Sequence, residues 1–182
     1  MIIPGILISL LTFPGVAVHE LAHQICCSIC RIPVYEVKYF QLKNPCGYVL
    51  HETTSNPWKN LLTGLGPFFV NTLLGILVTL PAYANVFGYG SDLHPFIKLC
   101  SYLLYWLGVS ILMHAFPSTG DAQSLVRNVL KSKDVHILAK AVTAPFIGLI
   151  YLGAFGSMFW LDLAYGISIS MLLPRLISTW LF

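Results

Sequence analysis

Residues 15–24 read Gly15-Val16-Ala17-Val18-His19-Glu20-Leu21-Ala22-His23-Gln24, within the first apolar run of the chain. Two histidines four residues apart lie about 40° apart around a helix, so both imidazoles can bind one metal ion. Glu20 lies about 100° from His19 and flanks that face. The stretch therefore predicts a metal site inside an apolar helix, with Glu20 beside the metal as a general base for metal-assisted hydrolysis.

The composition of the chain predicts a membrane protein. Of its 182 residues, 57% are hydrophobic and 9% are charged, against about 45–50% and about 25% in soluble domains. The fold class is therefore predicted to be an all-α multi-pass membrane protein with about five transmembrane helices. The predicted spans are residues 2–30, 60–84, 94–115, 138–160 and 162–181. The last two are poorly separated and Pro174 interrupts the final span, so four spans plus a re-entrant segment is the alternative.

The basic residues predict the orientation in the lipid bilayer. Eight of the ten Lys and Arg residues fall in or beside the first and third connections: Arg31, Lys38, Lys43, Lys59, Arg127, Lys131, Lys133 and Lys140. By the positive-inside rule these connections are cytoplasmic, and the second and fourth connections lie outside. The C-terminus is predicted to be cytoplasmic. The net charge of +3 is too small and too scattered to indicate a nucleic-acid partner.

The first connection and the five cysteines carry two smaller predictions. Residues 35–39 alternate apolar and charged side chains, residues 43–47 supply turn residues, and residues 48–50 resume an apolar run. This pattern predicts a β-hairpin between the first and second spans.

An odd number of cysteines, clustered near the cytoplasmic side, favours reduced thiols that serve as small packing residues, with a metal or redox role for Cys27-x-x-Cys30 as the alternative.

The third metal ligand must come from elsewhere, because a catalytic zinc commonly has three protein ligands and one open position. Asp121 follows Phe116-Pro117-Ser118-Thr119-Gly120, a stretch that can unwind a helix inside the membrane. If residues 121–131 are helical, Asp121 lies about 15 Å deep, level with both histidines. A helix N-cap at the membrane surface is the alternative. The other cytoplasmic candidates are Glu36, His51, Glu52, His114 and Asp134, whereas Asp92 and Asp162 are disfavoured as outer residues.

With these motifs the chain resembles the site-2 protease family of intramembrane zinc metalloproteases, over most of its first 125 residues. His19-Glu20-x-x-His23 matches the family's zinc-binding and general-base motif, and Asp121 stands where the family supplies its third zinc ligand. The resemblance implies a single membrane-embedded domain over residues 1–182, with a catalytic core at about 1–131 and additional helices at about 138–182. It also implies Zn²⁺ as cofactor and hydrolysis of a peptide bond within or near a substrate's transmembrane helix.

Three further stretches are similar to family features but differ in detail. Gly66-Pro67 followed by Asn71 resembles the pattern Gly-Pro-x-x-Asn, one residue wider. His114-Ala115-Phe116-Pro117 resembles Asn-x-x-Pro, with histidine in place of asparagine, and Ala122 follows Asp121 where the family has glycine. His114 is therefore a candidate catalytic residue that could donate a hydrogen bond to a developing oxyanion. Its alternatives are a fourth metal ligand, a hydrogen-bond partner of a ligand, or a polar residue at a helix end.

In the family, a hairpin between the first spans lies near the active site, where its edge could hold an unwound substrate as an added strand. A plain surface hairpin is the alternative.

Two other classes of function compete with proteolysis. A membrane protein that binds metal without catalysis, as a sensor, carrier or degenerate protease, would keep the ligands but has no need of a base at Glu20. A transporter could use intramembrane carboxylates and histidines as a proton relay, but no internal repeat is detectable and the ionisable residues cluster at one locus. The family resemblance thus implies a transmembrane protein as substrate, the positions of the basic residues predict an active site toward the cytoplasmic side, and the oligomeric state stays open.

Overall fold

The computed structural model describes residues 5–88 and 93–181, and that part of the chain is mostly helical with one two-stranded sheet. The helices are α1 (Gly5–Leu11), α2 (Phe13–Ile29), α3 (Pro57–Phe87), α4 (Pro95–Met113), α5 (Thr119–Leu125), α6 (Ile137–Gly156) and α7 (Leu161–Leu181). A π-helical turn at Val126–Leu130 extends α5, and a 3₁₀ turn at Ser157–Phe159 extends α6. The strands are β1 (Val34–Lys38) and β2 (Tyr48–His51).

Three of these helices are long and apolar enough to cross a membrane: Pro57–Phe87, Pro95–Met113 and Ile137–Phe159. Large apolar side chains stand exposed on their outer faces, among them Leu73, Leu77, Leu103, Leu149 and Leu152. Such faces are suited to contact with lipid acyl chains rather than water. The structure therefore supports a mostly helical membrane protein, and the count of five spans stays a prediction.

The predicted first span, residues 2–30, is two helices in the structure rather than one. The helix breaks at Thr12, whose backbone φ and ψ are −119° and 30°. Pro14 lies in the first turn of α2, where its missing N–H is tolerated because that group would have no helical acceptor. Because Pro14 has no N–H to donate to the preceding helical turn, α1 does not continue into α2. Within α3 and α7, by contrast, Pro67, Pro81 and Pro174 lie inside continuous helices.

The predicted hairpin between the first two long apolar segments is confirmed. Strands β1 and β2 pair antiparallel, with Val37 opposite Val49, and a register shift follows Val34. The hairpin is anchored to α2 by Tyr39, whose Oη donates to Gln24 Oε1. The thiols of all five cysteines are free, as the sequence predicted.

The centre of the molecule is the close packing of α2, α3 and α4. A Cβ on Gly15 would lie 2.0 Å from the carbonyl oxygen of Ser110, and one on Gly108 would lie 2.3 Å from Thr79 Cγ2. A Cβ on Gly75 would likewise meet Leu112 at 2.5 Å. Small residues of this kind let helix backbones approach closely inside a membrane. Gly15 thus permits the close approach of α2 to α4, and Gly75 and Gly108 permit that of α3 to α4.

Two helix breaks lie side by side. Between α4 and α5 the chain is non-helical from residue 114 to 118, as the breaker-rich sequence predicted. The turn between α6 and α7 packs next to this break, because Gly153 and Tyr165 both contact the ring of Phe116. From there α7 runs antiparallel to α4, with Gly166 beside Met113 and Ser170 Oγ 2.9 Å from Tyr105 Oη. The α6–α7 turn therefore lies next to the α4–α5 break.

Candidate metal centre

The two histidines of α2 share one buried face, as their spacing predicted. His19 and His23 are 7% and 6% exposed, and their ring centroids lie 4.9 Å apart at an interplanar angle of 75°. One helical turn separates them, so neither ring requires a loop to reach the other. The backbone of α2 alone therefore sets the separation of the two rings.

Each imidazole is oriented by a backbone carbonyl of a neighbouring helix. His19 Nδ1 lies 2.6 Å from the carbonyl oxygen of His114, and His23 Nδ1 lies 2.9 Å from that of Thr63. A carbonyl only accepts, so these contacts assign the proton to Nδ1 in both rings and leave the Nε2 lone pairs free. This arrangement fixes ring tautomer and direction, as partners of metal-binding histidines do.

Asp121 faces the two Nε2 atoms from the first turn of α5. Its Oδ1 lies 3.5 Å from His23 Nε2, and its Oδ2 lies 3.9 Å from His19 Nε2. Ser118 donates its N–H and its hydroxyl to Oδ2, at 2.8 and 2.7 Å, and its Oγ accepts from the backbone N–H of Asp121. The sequence alternative of an N-cap at Asp121 differs from the structure, because Ser118 is the cap and Asp121 is its capping-box partner.

The donor atoms of His19, His23 and Asp121 fit a metal ion. They all lie within 4.8 Å of one another, and tetrahedral ligands about 2.0–2.1 Å from zinc would be about 3.3 Å apart. Two imidazole nitrogens and a carboxylate oxygen are a donor set that suits zinc. Within the described residues the group has three members. The structure thus contains a possible metal-binding group made of the three residues named by the sequence.

Glu20 lies beside this group and outside it. Its side chain is 8% exposed and is covered by the turn of the hairpin, where a Cβ on Gly47 would lie 2.7 Å from Glu20 Cγ and 3.0 Å from Oε1. Glycine at position 47 therefore gives the carboxylate its room. The sequence marked Gly47 only as turn chemistry, because nothing local indicates that the turn reaches α2.

The ring of His114 lines the same cavity as His19 and Glu20 but is not a member of the three-residue donor group. Thr12 Oγ1 donates to the carbonyl of Ile8 at 2.6 Å, so it accepts from His114 Nε2, which lies 2.8 Å away. The contact of His114 with the metal group is made by its carbonyl oxygen, through His19. A catalytic role for the His114 side chain stays a prediction, whereas its backbone is a direct partner of a candidate ligand.

Asn71 braces the break from which that carbonyl projects. Its side chain is fully buried, and Nδ2 lies 3.0 Å from the carbonyl oxygen of His114, 3.2 Å from that of Ile111 and 3.4 Å from that of Gly15. Its Oδ1 has no hydrogen-bond partner in the described part of the chain. One amide thus ties α2, α3 and the end of α4 together beside His19.

Two cavities open on either side of the donor group. The larger, of about 670 Å³, is lined by His19, Glu20, the hairpin turn, α1 and the α6–α7 turn as far as Asp162. The smaller, of about 20 Å³, is lined mostly by polar groups: His23, His51, Asn60, Thr63, Asp121 and Ser124. A polar cavity of that volume can hold one water molecule. The centre is therefore reachable from a wide cleft and from a narrow polar pocket.

The remaining sequence candidates lie elsewhere. Glu36 accepts from Tyr48 Oη on the hairpin, Glu52 and Asp134 are exposed, and Asp92 lies outside the described residues. The residues that sequence reasoning missed are Gly47, Thr63 and Ser118, together with the bracing contacts of Asn71. Of these only Ser118 left a signal, since Ser-x-x-Asp is a capping-box pattern.

Comparisons with protein-family models, with curated proteins and with solved structures gave no match to this chain. A functional assignment therefore depends on the residues and the geometry described above.

Proposed function

We propose that this protein is a zinc-dependent intramembrane protease, similar to the site-2 protease family, that hydrolyses a peptide bond within or near a transmembrane helix of its substrate. The observation that carries the proposal is the group His19, His23 and Asp121 with a buried carboxylate, Glu20, next to it and outside it. Burial of an acidic side chain in an apolar helix costs free energy, and such residues commonly belong to functional sites.

The proposed roles follow from position. His19, His23 and Asp121 would hold the ion, and zinc when bound would act as a Lewis acid on a substrate carbonyl and on water. Glu20 would take a proton from the attacking water and pass it to the leaving amine. The carbonyls of His114 and Thr63 keep the two imidazoles in the tautomer that presents Nε2, and Ser118 keeps the carboxylate of Asp121 turned toward them.

The large cleft supports the choice of a peptide substrate. Its volume, about 670 Å³, lies within the range of about 300–1,000 Å³ that is usual for ligand sites, and Glu20 and His19 form part of its wall. A site that only binds metal needs neither a base nor such a cleft, so both features favour proteolysis over a sensor or carrier. The hairpin turn on Glu20 supports a role for the hairpin in presenting an extended substrate strand.

We also propose that the site lies toward the cytoplasmic side. The connections that contain Lys43 and Lys133 would then be cytoplasmic. Single cysteines at these positions, in a chain without its native cysteines, should be protected from an impermeant reagent in intact cells, whereas one at the exposed His94 should react. The opposite pattern would reverse the orientation.

The decisive experiment compares the same substitution, glutamate to glutamine, at two positions. Purified wild type, Glu20→Gln and Glu52→Gln are incubated in detergent with a synthetic transmembrane substrate, and products are identified by mass spectrometry. Glu20→Gln should cleave about 10²–10⁴-fold more slowly, because it keeps shape and loses the base, and its zinc content should match that of wild type. Glu52→Gln, on the exposed end of the hairpin, should cleave normally. Undiminished cleavage by Glu20→Gln would contradict the proposal, and zinc binding without cleavage by wild type would favour the non-catalytic alternative.

A further inference from the structure

Asp162 lines the same cleft as Glu20, His19 and the hairpin turn. It lies in the first turn of α7, just after Trp160, whose φ of 65° is left-handed. That conformation is uncommon for a large side chain and clusters at functional sites. It turns the chain so that α7 begins at the cleft. No pattern in the sequence indicated that Asp162 lines this cleft.

The carboxylate of Asp162 has no cationic partner among the described residues. Oδ1 accepts from the backbone N–H of Leu163 at 2.8 Å, and the ion pairs in the described ranges involve other acidic residues. Asp162 is half-buried. An ionisable group at membrane depth without a counter-charge is expensive, and such groups commonly serve function.

Apart from two histidines, His19 and His114, the ionisable side chains described in the cleft wall are acidic. Its described lining contains two acidic side chains, Glu20 and Asp162, and neither lysine nor arginine. The rest of the wall is formed mainly by apolar and neutral groups, including Ile6, Met113, Phe116 and Trp160. A concave wall of low polarity with carboxylates concentrates positive charge and repels negative charge. The third carboxylate of the region, Asp121, is already engaged by Ser118 and the histidines.

We propose that Asp162 is a specificity-determining residue that binds a lysine or arginine side chain of the substrate, close to the scissile bond. This inference rests on the proposed proteolytic function and names its substrate class: an apolar segment that carries a basic residue near the cleavage site. The apolar part of the segment fills the cleft, and the cationic group pairs with Asp162. A substrate with glutamate at the same place meets two like charges and is excluded.

Binding tests this inference without any turnover. A fluorescent apolar peptide series, with one Lys, Gln or Glu moved through six central positions, is titrated against Glu20→Gln protein by fluorescence anisotropy. At one or two neighbouring positions the Lys peptide should bind about tenfold more tightly than the Gln peptide, and the Glu peptide more weakly than both. Adding Asp162→Asn should reduce the Lys-to-Gln ratio to within about twofold, and adding Asp162→Lys should make the Glu peptide the preferred one. Asp134→Asn, the same change on an exposed loop, should leave the ratio as it was.

Two results would overturn the inference: equal binding of Lys and Gln peptides at all six positions, or a Lys preference that survives Asp162→Asn. Because the peptides are never cleaved in this assay, either result leaves the proposed function standing. Conversely, if wild type cleaves none of the peptides while the charge preference follows Asp162, the proteolytic function fails and the cleft remains a site for cationic apolar segments.

Discussion

The two cavities beside the donor group differ in size and chemistry. The cleft next to His19 and Glu20 has about 670 Å³ and mainly apolar or neutral walls, whereas the pocket next to His23 and Asp121 has about 20 Å³ and mainly polar ones. A peptide segment fits only the first, and the second has room for about one water molecule. The difference teaches that one helix face can present its two histidines to two different environments, a wide and mainly apolar cleft and a narrow pocket lined mostly by polar residues.

The largest effect on this comparison is expected at Gly47, where the hairpin turn meets Glu20. Gly47→Ala places a Cβ 2.7 Å from Glu20 Cγ, so the carboxylate or the turn must move. A displacement of about 1 Å can cost about 100-fold in rate, and we expect a loss of that order in kcat/KM with zinc content unchanged. Both are measured on the purified variant.

Gly148→Ala is the matched control for this variant, because a Cβ there meets nothing within 4 Å, and it should cleave like wild type. Normal cleavage by Gly47→Ala would show that the turn is free to move away from Glu20, and the cleft would then be shaped by the helices alone.

The second-largest effect is expected at Asn71, and it tests what fixes the orientation of His19. Asn71→Leu removes the amide that braces the carbonyl of His114, and so loosens the partner of His19 Nδ1. We expect the zinc dissociation constant to rise about tenfold and the free energy of unfolding to fall by about 1–3 kcal/mol. Competition with a fluorescent chelator measures the first, and thermal unfolding in detergent measures the second.

Asn85→Leu separates the two readouts. Asn85 donates to Ser101 Oγ at 3.0 Å on the α3–α4 interface, away from the donor group. It should lower stability without changing zinc affinity. If Asn71→Leu likewise lowered stability and left the zinc dissociation constant unchanged, the amide of Asn71 would have no part in orienting His19.

The smallest effects distinguish the two cavities directly. Ser124→Val fills part of the polar pocket, and Ser157→Val fills part of the cleft. We expect Ser124→Val to lower kcat several-fold with KM unchanged, because water reaches the site less readily, and Ser157→Val to raise KM several-fold with kcat nearly unchanged. Steady-state kinetics on one fluorogenic transmembrane substrate gives both constants. An interchange of the two patterns would exchange the roles assigned to the cavities.

Local patterns in the sequence predicted those parts of the site that depend on local structure. The spacing of His19 and His23 predicts their shared face, the breaker-rich stretch 116–120 predicts the interruption found at residues 114–118, and the alternation around Val37 predicts a strand. Asp121 was selected from an estimate of depth, and the structure brings it to the histidines.

What sequence reasoning could not supply is tertiary. The carbonyl of Thr63 and the amide of Asn71 act on the site only because α3 packs against α2 and α4. Nothing local in the sequence indicated that the α6–α7 turn packs against the α4–α5 break through the ring of Phe116, or that Asp162 lines the cleft there. The division of the first apolar run at Thr12 was also missed, although Pro14 carried the signal.

The central claim is that His19, His23 and Asp121 hold one zinc ion together. Its most direct test is the zinc content of the purified full chain, measured by inductively coupled plasma mass spectrometry for wild type and Asp121→Ala, with Asp134→Ala as control. We predict about one zinc per chain in wild type and in Asp134→Ala, and clearly less in Asp121→Ala. Wild type that holds no zinc after purification in zinc-containing buffer, or full retention by Asp121→Ala, would contradict the account.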